Sequence, residues 1–253
     1  MKGKSKLIAD KIATVVMGWP SVDSILMENL LSGDVYDPYY FLSLDVYYSD
    51  AIPPPEERRE ALLFGAAFET SRVKGKDRLI VDEVPVRIEY KATGRINDII
   101  EKNDPAFLRS AGTYVLYRII NADVCYDRSG WILKMRKKLG TMPQSFWDRV
   151  RDVFQSRMEH CLSDLGAASM RNDELFFHIS IANFLQGVCS VLFAINRRFE
   201  PSFRLFSGQV KSLPTLPESF AALFDSLLRS NSDFSYSQKY KIAELLTKST
   251  LNL

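Results

Sequence analysis

Apolar residues recur along the first hundred positions with two different periods. Between Lys6 and Met17 they fall at Ile8, Ile12, Val15 and Val16, one face of a helix. "PSVDSILMENLL" repeats that spacing at Val22, Ile25, Leu26 and Leu30 and predicts a second helix, capped by Ser21. "SGDVYDP", from Ser32 to Pro38, has the composition of a loop. "YFLSLDVYYSD" is aromatic and β-branched, ends before the breaker run Pro53-Pro54-Pro55, and predicts a strand. "EERREALLFGAAFE" predicts a helix with acids in its first turn, where the helix dipole favours them. "DRLIVDEVPVRIEYK" alternates at Leu79/Val81 and at Val84/Val86/Ile88, a hairpin turning at Asp82-Glu83. "GRINDIIEK" predicts a short helix.

Beyond Asp104 the alternation stops. "PAFLRSAGTYVLYRIINADVCYD" predicts one long helix opening at Pro105. "MPQSFWDRVRDVFQSRMEHCLSDLGAASM" and "DELFFHISIANFLQGVCSVLFAINRRF" predict two more. Pro201, Pro214 and Pro217 then break the chain, and two shorter helices close it. The order predicts an α+β class: a small mixed sheet over residues 1–103, then an all-helical bundle over 104–253. Ligand sites favour domain junctions, so a ligand is expected between the two.

Composition narrows the partners. The chain has 253 residues, 46% of them apolar, and a net charge of +2, which gives no nucleic-acid or membrane signal. Three cysteines without CxxC spacing suggest neither a disulfide framework nor a zinc site. Asp10 and Lys11 interrupt the apolar run at the start, unlike a signal peptide, and no uninterrupted stretch of eighteen apolar residues occurs. A cytoplasmic protein is expected, with a homodimer through the bundle as one option.

Two acids stand in strongly apolar strands: Asp45 between Leu44 and Val46, and Glu89 between Ile88 and Tyr90. On neighbouring strands they would face one another, a donor pair that suits Mg²⁺. The plainer alternative is a pair of solvated acids on the wet face of a sheet. Arg58 and Arg59 read as a solvated helix surface, and "RVKGKDR", with Arg72, Lys74 and Lys76, as a solvated basic turn with a phosphate-facing loop as its functional alternative. His160 and His178 lack any triad spacing. The basic stretch "SGWILKMRKKLG" around Trp131 reads as a solvated helix face.

The order of helix, Ser/Gly loop, strand with acid, helix and hairpin with a further acid resembles the polymerase-beta-like nucleotidyltransferase superfamily. In that family a Gly-Ser loop precedes a strand bearing two acids one residue apart, and a later strand bears a third. Ser32 and Gly33 would supply the loop, Ser43-Leu44-Asp45 the strand pair, and Glu89 the third acid. The run Asn196, Arg197, Arg198, Phe199 and Pro201 resembles the helical domain of uncharacterised bacterial nucleotidyltransferase-like proteins.

The resemblance implies Mg²⁺-dependent transfer of a nucleotidyl group from a nucleoside triphosphate to a hydroxyl acceptor. Asp45 and Glu89 would hold the metal. Ser32, Gly33, Ser43, Arg197 and Arg204 would contact the nucleotide. Ser43 stands where an acid is expected, and the Gly-Ser order is reversed. A hydroxyl adds no charge at a hard cation. Either Asp34, Asp37 or Asp50 compensates, or the chain is a catalytically degenerate nucleotide-binding or protein-interaction module.

Overall fold

The computed structural model describes residues 2–28, 39–71, 75–102, 105–229 and 234–253. They divide into two compact units. The first combines Met1–Lys102 with Arg118–Thr141, and the second combines Asn103–Tyr117 with Met142–Leu253.

The first unit is built on a mixed sheet. Its strands are β1 (Val22–Glu28), β2 (Leu42–Tyr48), β3 (Ala66–Ser71), β4 (Lys76–Val81), β5 (Val84–Ala92) and β6 (Asp123–Asp127). They run in the order β3-β4-β5-β2-β1-β6. β2 and β5 are parallel, and the other neighbours are antiparallel. One sheet face is apolar. Leu42, Leu44, Val46, Val86 and Ile88 join Ile8, Ile12 and Val16 of α1 (Lys2–Val16) in a buried core. The strand period of two sends the intervening residues, Ser43, Asp45, Arg87 and Glu89, to the opposite face.

Three predicted elements need correction. The segment after Ser21 is strand β1, not a helix. A bulge between Val22 and Ser24 puts Val22 and Ile25 opposite Tyr48 and Val46, so both face the core. That three-residue step imitates a helical repeat. The helix after the prolines is short, α2 (Pro55–Ala61), and Ala66–Ser71 forms β3. The long helix expected from Pro105 is three elements: α4 (Pro105–Ala111), α5 (Tyr114–Asn121) and β6. Gly112, at φ 62°, takes the left-handed conformation between the first two. A single cut at residue 103 therefore leaves out residues 118–141, which bring β6 into the sheet.

The hairpin turn is where the sequence puts it. Asp82 and Glu83 both have positive φ, 48° and 66°, the twist that a two-residue turn requires. Helix α3 (Thr93–Lys102) follows β5, and α6 (Trp131–Gly140) follows β6. Trp131 packs on Tyr47, their rings 5.0 Å apart, so α6 shields part of the polar sheet face. Arg58 is buried rather than solvated. It makes a bidentate pair with Asp77 at 2.8 and 2.9 Å, and Tyr90 donates to the same carboxylate at 2.7 Å.

The second unit is helical. Helices α7 (Gln144–Arg171) and α8 (Glu174–Ile195) pair along their lengths, joined by α9 (Phe203–Lys211), α10 (Phe220–Leu228) and α11 (Tyr236–Leu251). Helix α8 is long and apolar enough to cross a membrane by length and composition, yet Phe177, Phe184, Val188 and Leu192 lie in this unit's core. Buried Glu200 ties the unit together. It accepts from Thr113 N at 3.0 Å and from Ser190 Oγ at 2.5 Å.

Candidate functional site

The polar face of the sheet gathers the site. Asp45 and Glu89 are direct partners across β2 and β5. Arg87 and Ser43 form the next pair, and Glu28 of β1 lies opposite Ser43. The sequence thus brings together Asp45, Glu89 and Ser43, as the strand pattern predicts.

A basic group stands between the two acids. Lys91 Nζ is 2.7 Å from Asp45 Oδ2 and 3.5 Å from Glu89 Oε2. Arg118 Nε reaches Asp45 Oδ2 from α5 at 2.8 Å, and its other arm lies 3.4 Å from Glu28 Oε2. Lys76 Nζ holds Glu89 Oε1 at 2.7 Å, with Arg87 Nε at 3.7 Å. Asp45 is wholly buried and Arg118 is 1% exposed, so each stabilises the other's charge.

Electrostatics follow from these partners. Burial alone would raise the Glu89 pKa, but the positive charge of Lys91 and the hydrogen bond and charge of Lys76 hold it at about 2. Burial, reinforced by the Asp45 charge, pushes the Tyr47 hydroxyl well above its usual value. Tyr47 therefore stays a donor, directed at Asp45 Oδ2 over 3.3 Å.

This donor set does not fit Mg²⁺. Asp45 Oδ2 and both Glu89 oxygens already face ammonium or guanidinium groups. Ser43 adds no charge at the third position, although its Oγ and Asp45 Oδ1 are buried without a hydrogen-bond partner among the described residues. Among the described residues, no three metal-ligating side chains converge.

Beside the acids opens a cleft of about 420 Å³, lined by Phe41, Glu69, Arg78, Pro85 and Arg87 among others. Arg78 and Arg87 are direct partners across β4 and β5. Like charges so placed repel. The Arg87 guanidinium lies over the Phe41 ring, 4.2 Å from its centre.

The remaining predicted residues fall elsewhere. Ser32 and Gly33, with Asp34, Asp37, Arg72 and Lys74, lie outside the described residues. Asp50 is exposed after β2. Arg197 and Arg204 belong to the second unit. Arg197, at φ 51°, follows the end of α8 and donates to Gln144. Asn196 of the same run exchanges two 2.8 Å hydrogen bonds with the backbone of Thr215, so the run fastens the Leu-Pro segment. His160 and His178 lie on helix surfaces, beside Asp164 and Glu174. Burial raises the thiols of Cys125 to about 11 and of Cys189 to about 12, which leaves them protonated at neutral pH.

Sequence reasoning missed Lys91, Arg118 and Glu28, and it read Lys76 as part of a solvated turn, whereas Lys76 opens β4 and pairs with Glu89. Lys91 was legible, since it is two residues from Glu89 and therefore on the same strand face. Arg118 is the lone charge in "YVLYRIIN", the same kind of signal that marks Asp45.

A mixed sheet of this order with a helical second half is a fold shared with a solved nucleotidyltransferase-like protein. The chain is similar to the crystal structure of a nucleotidyltransferase-like protein from Exiguobacterium sibiricum 255-15, with a TM-score of 0.53 and 10% sequence identity. That match covers 98% of this chain and 74% of the other. Residues 109–204 match the model of a domain of unknown function, DUF4037. No curated protein matches the chain.

Proposed function

We propose that this protein binds a nucleoside triphosphate through basic side chains and without a metal ion, as a non-catalytic member of its fold class. The observation that carries this reading is Lys91, whose ammonium bridges the carboxylates of Asp45 and Glu89. A fixed ammonium puts one positive charge between the acids, where a divalent cation would bring two, and it offers no coordination site to a reacting oxygen. The acids then act as positioning residues that hold Lys76, Lys91 and Arg118 in place.

The exposed part of this strip suits phosphate. The side chains of Lys76 and Arg87 are 30% and 29% exposed, and that of Lys91 is 18% exposed. Arginine can grip two phosphate oxygens at once, and Arg78 and Arg87 flank the adjoining cleft. An anion between them would relieve their mutual repulsion.

A second reading keeps the enzyme: Mg²⁺-dependent transfer of a nucleotidyl group to a hydroxyl acceptor. It is favoured by the direct register of Asp45 with Glu89. A pyrophosphate-release assay separates the two. The binding module leaves release at the blank level with any of ATP, GTP, CTP or UTP and Mg²⁺, while Arg78→Ala with Arg87→Ala weakens nucleotide binding tenfold or more. Release above the blank that disappears in Asp45→Asn would support the enzyme instead.

A further inference from the structure

We infer that the helical unit carries a second ligand site, a pocket for a small amphiphile with a single anionic head group. This inference stands independently of the nucleotide reading. The pocket has a volume of about 540 Å³ and opens among α8, α9, α10 and α11. That volume falls in the range of small-molecule sites. Its walls are apolar and aromatic, with Phe177, Ile181, Phe206, Phe224 and Leu227 contributing. Among the described residues, its charged or titratable lining groups are basic or a thiol: His178, Arg229, Lys239 and Cys189.

Lys239 gives the pocket its chemistry. The residue is 8% exposed, and its ammonium donates to the Arg229 carbonyl at 2.5 Å. Among the described residues, no carboxylate pairs with it. A buried ammonium is costly without a counter-charge, and it has three donors for that one acceptor. Among the described residues, buried Arg58 pairs with Asp77 and buried Arg118 with Asp45, and buried Glu200 accepts hydrogen bonds from Thr113 and Ser190. Lys239 is the buried cation there without a carboxylate, and it borders a cavity.

The charge selects the ligand. One buried ammonium balances one negative charge; Arg229 is exposed to solvent and His178 lies on a helix surface, so a dianionic phosphate would leave its second charge against the apolar wall. A monoanionic carboxylate on an aliphatic or aromatic body therefore fits best. Its head would meet Lys239, and its body would lie against the phenylalanines. Phe203 and Leu228, exposed by 72% and 52%, give the mouth an apolar rim that would continue this contact.

The test uses the full chain with octanoate, decanoate and the neutral octanamide as probes, read by calorimetry and thermal melting. Octanoate and decanoate should bind and raise the melting temperature, and octanamide should bind at least tenfold more weakly than octanoate. Lys239→Met keeps much of the side-chain volume and should lose octanoate binding tenfold or more. Lys239→Arg should retain it. Ala182→Trp, which fills the pocket from α8 while sparing Lys239, should abolish it. The inference is overturned if neither carboxylate binds, if octanamide equals octanoate, or if Ala182→Trp leaves binding unchanged.

Discussion

Lys91 Nζ lies 2.7 Å from Asp45 Oδ2, on the one sheet face where Asp45 and Glu89 are directly opposed. The lysine comes from the same strand as Glu89, two residues on, so strand geometry alone delivers it to the acid pair. Removing it should leave two carboxylates facing each other. Lys91→Met is expected to cost about 1–3 kcal/mol, the penalty of an uncompensated buried acid reduced by the remaining Arg118 pair. Millimolar Mn²⁺ should then raise the melting temperature of Lys91→Met and leave the wild type unmoved. An equal shift in both proteins would show that the lysine does not occupy the cation position.

Arg118 is the larger structural risk. It is buried against Asp45 and Glu28, and neither acid can reach bulk water easily. Arg118→Met should destabilise the protein by about 3–5 kcal/mol in urea unfolding. Adding Asp45→Asn should recover part of that loss, because the stranded charge is then gone. A double variant no more stable than Arg118→Met would argue against a strong Asp45 pairing.

Glu89 predicts an acid limb. Its folded pKa, about 2, lies below its ordinary value of 4.5, so the folded state binds this proton less readily than the unfolded chain. The stabilisation is therefore complete above about pH 5 and is lost as pH falls from there toward 2. It amounts to on the order of 3 kcal/mol as an upper bound. Glu89→Gln should flatten the decline in stability between those limits. A variant with the wild-type acid profile would remove Glu89 from the network.

The contrast between these residues shows what a sequence carries. Alternation at Leu42, Leu44 and Val46 fixes which face of β2 is buried, and so predicts that Asp45 points away from the core. The hairpin period does the same for Glu89. Strand adjacency is not written in either segment. Pairing β2 with β5 in parallel depends on the α2, β3 and β4 crossover, which local pattern does not specify. Arg118 was harder still, because "YVLYRIIN" reads as bundle helix until β6 is seen to join the sheet. Strand β1 was misread because its bulge copies the spacing of a helix.

Gly112 offers a check on the second unit. A β-carbon there would lie 2.8 Å from Glu200 Oε2, and the backbone already has φ 62°. Gly112→Ala should therefore cost more than about 1 kcal/mol, from left-handed strain and from displacement of the carboxylate that Thr113 and Ser190 share. Chemical unfolding checks this directly. A neutral substitution would mean that Glu200 relaxes without losing those bonds.

The central claim is that basic side chains, rather than a metal, would meet the phosphates. Calorimetric titration of ATP into the protein, once in excess EDTA and once in excess Mg²⁺, tests it most directly. The account predicts binding in EDTA at least as tight as in Mg²⁺, weakened in both by Arg87→Ala. Binding seen only with Mg²⁺ would contradict it.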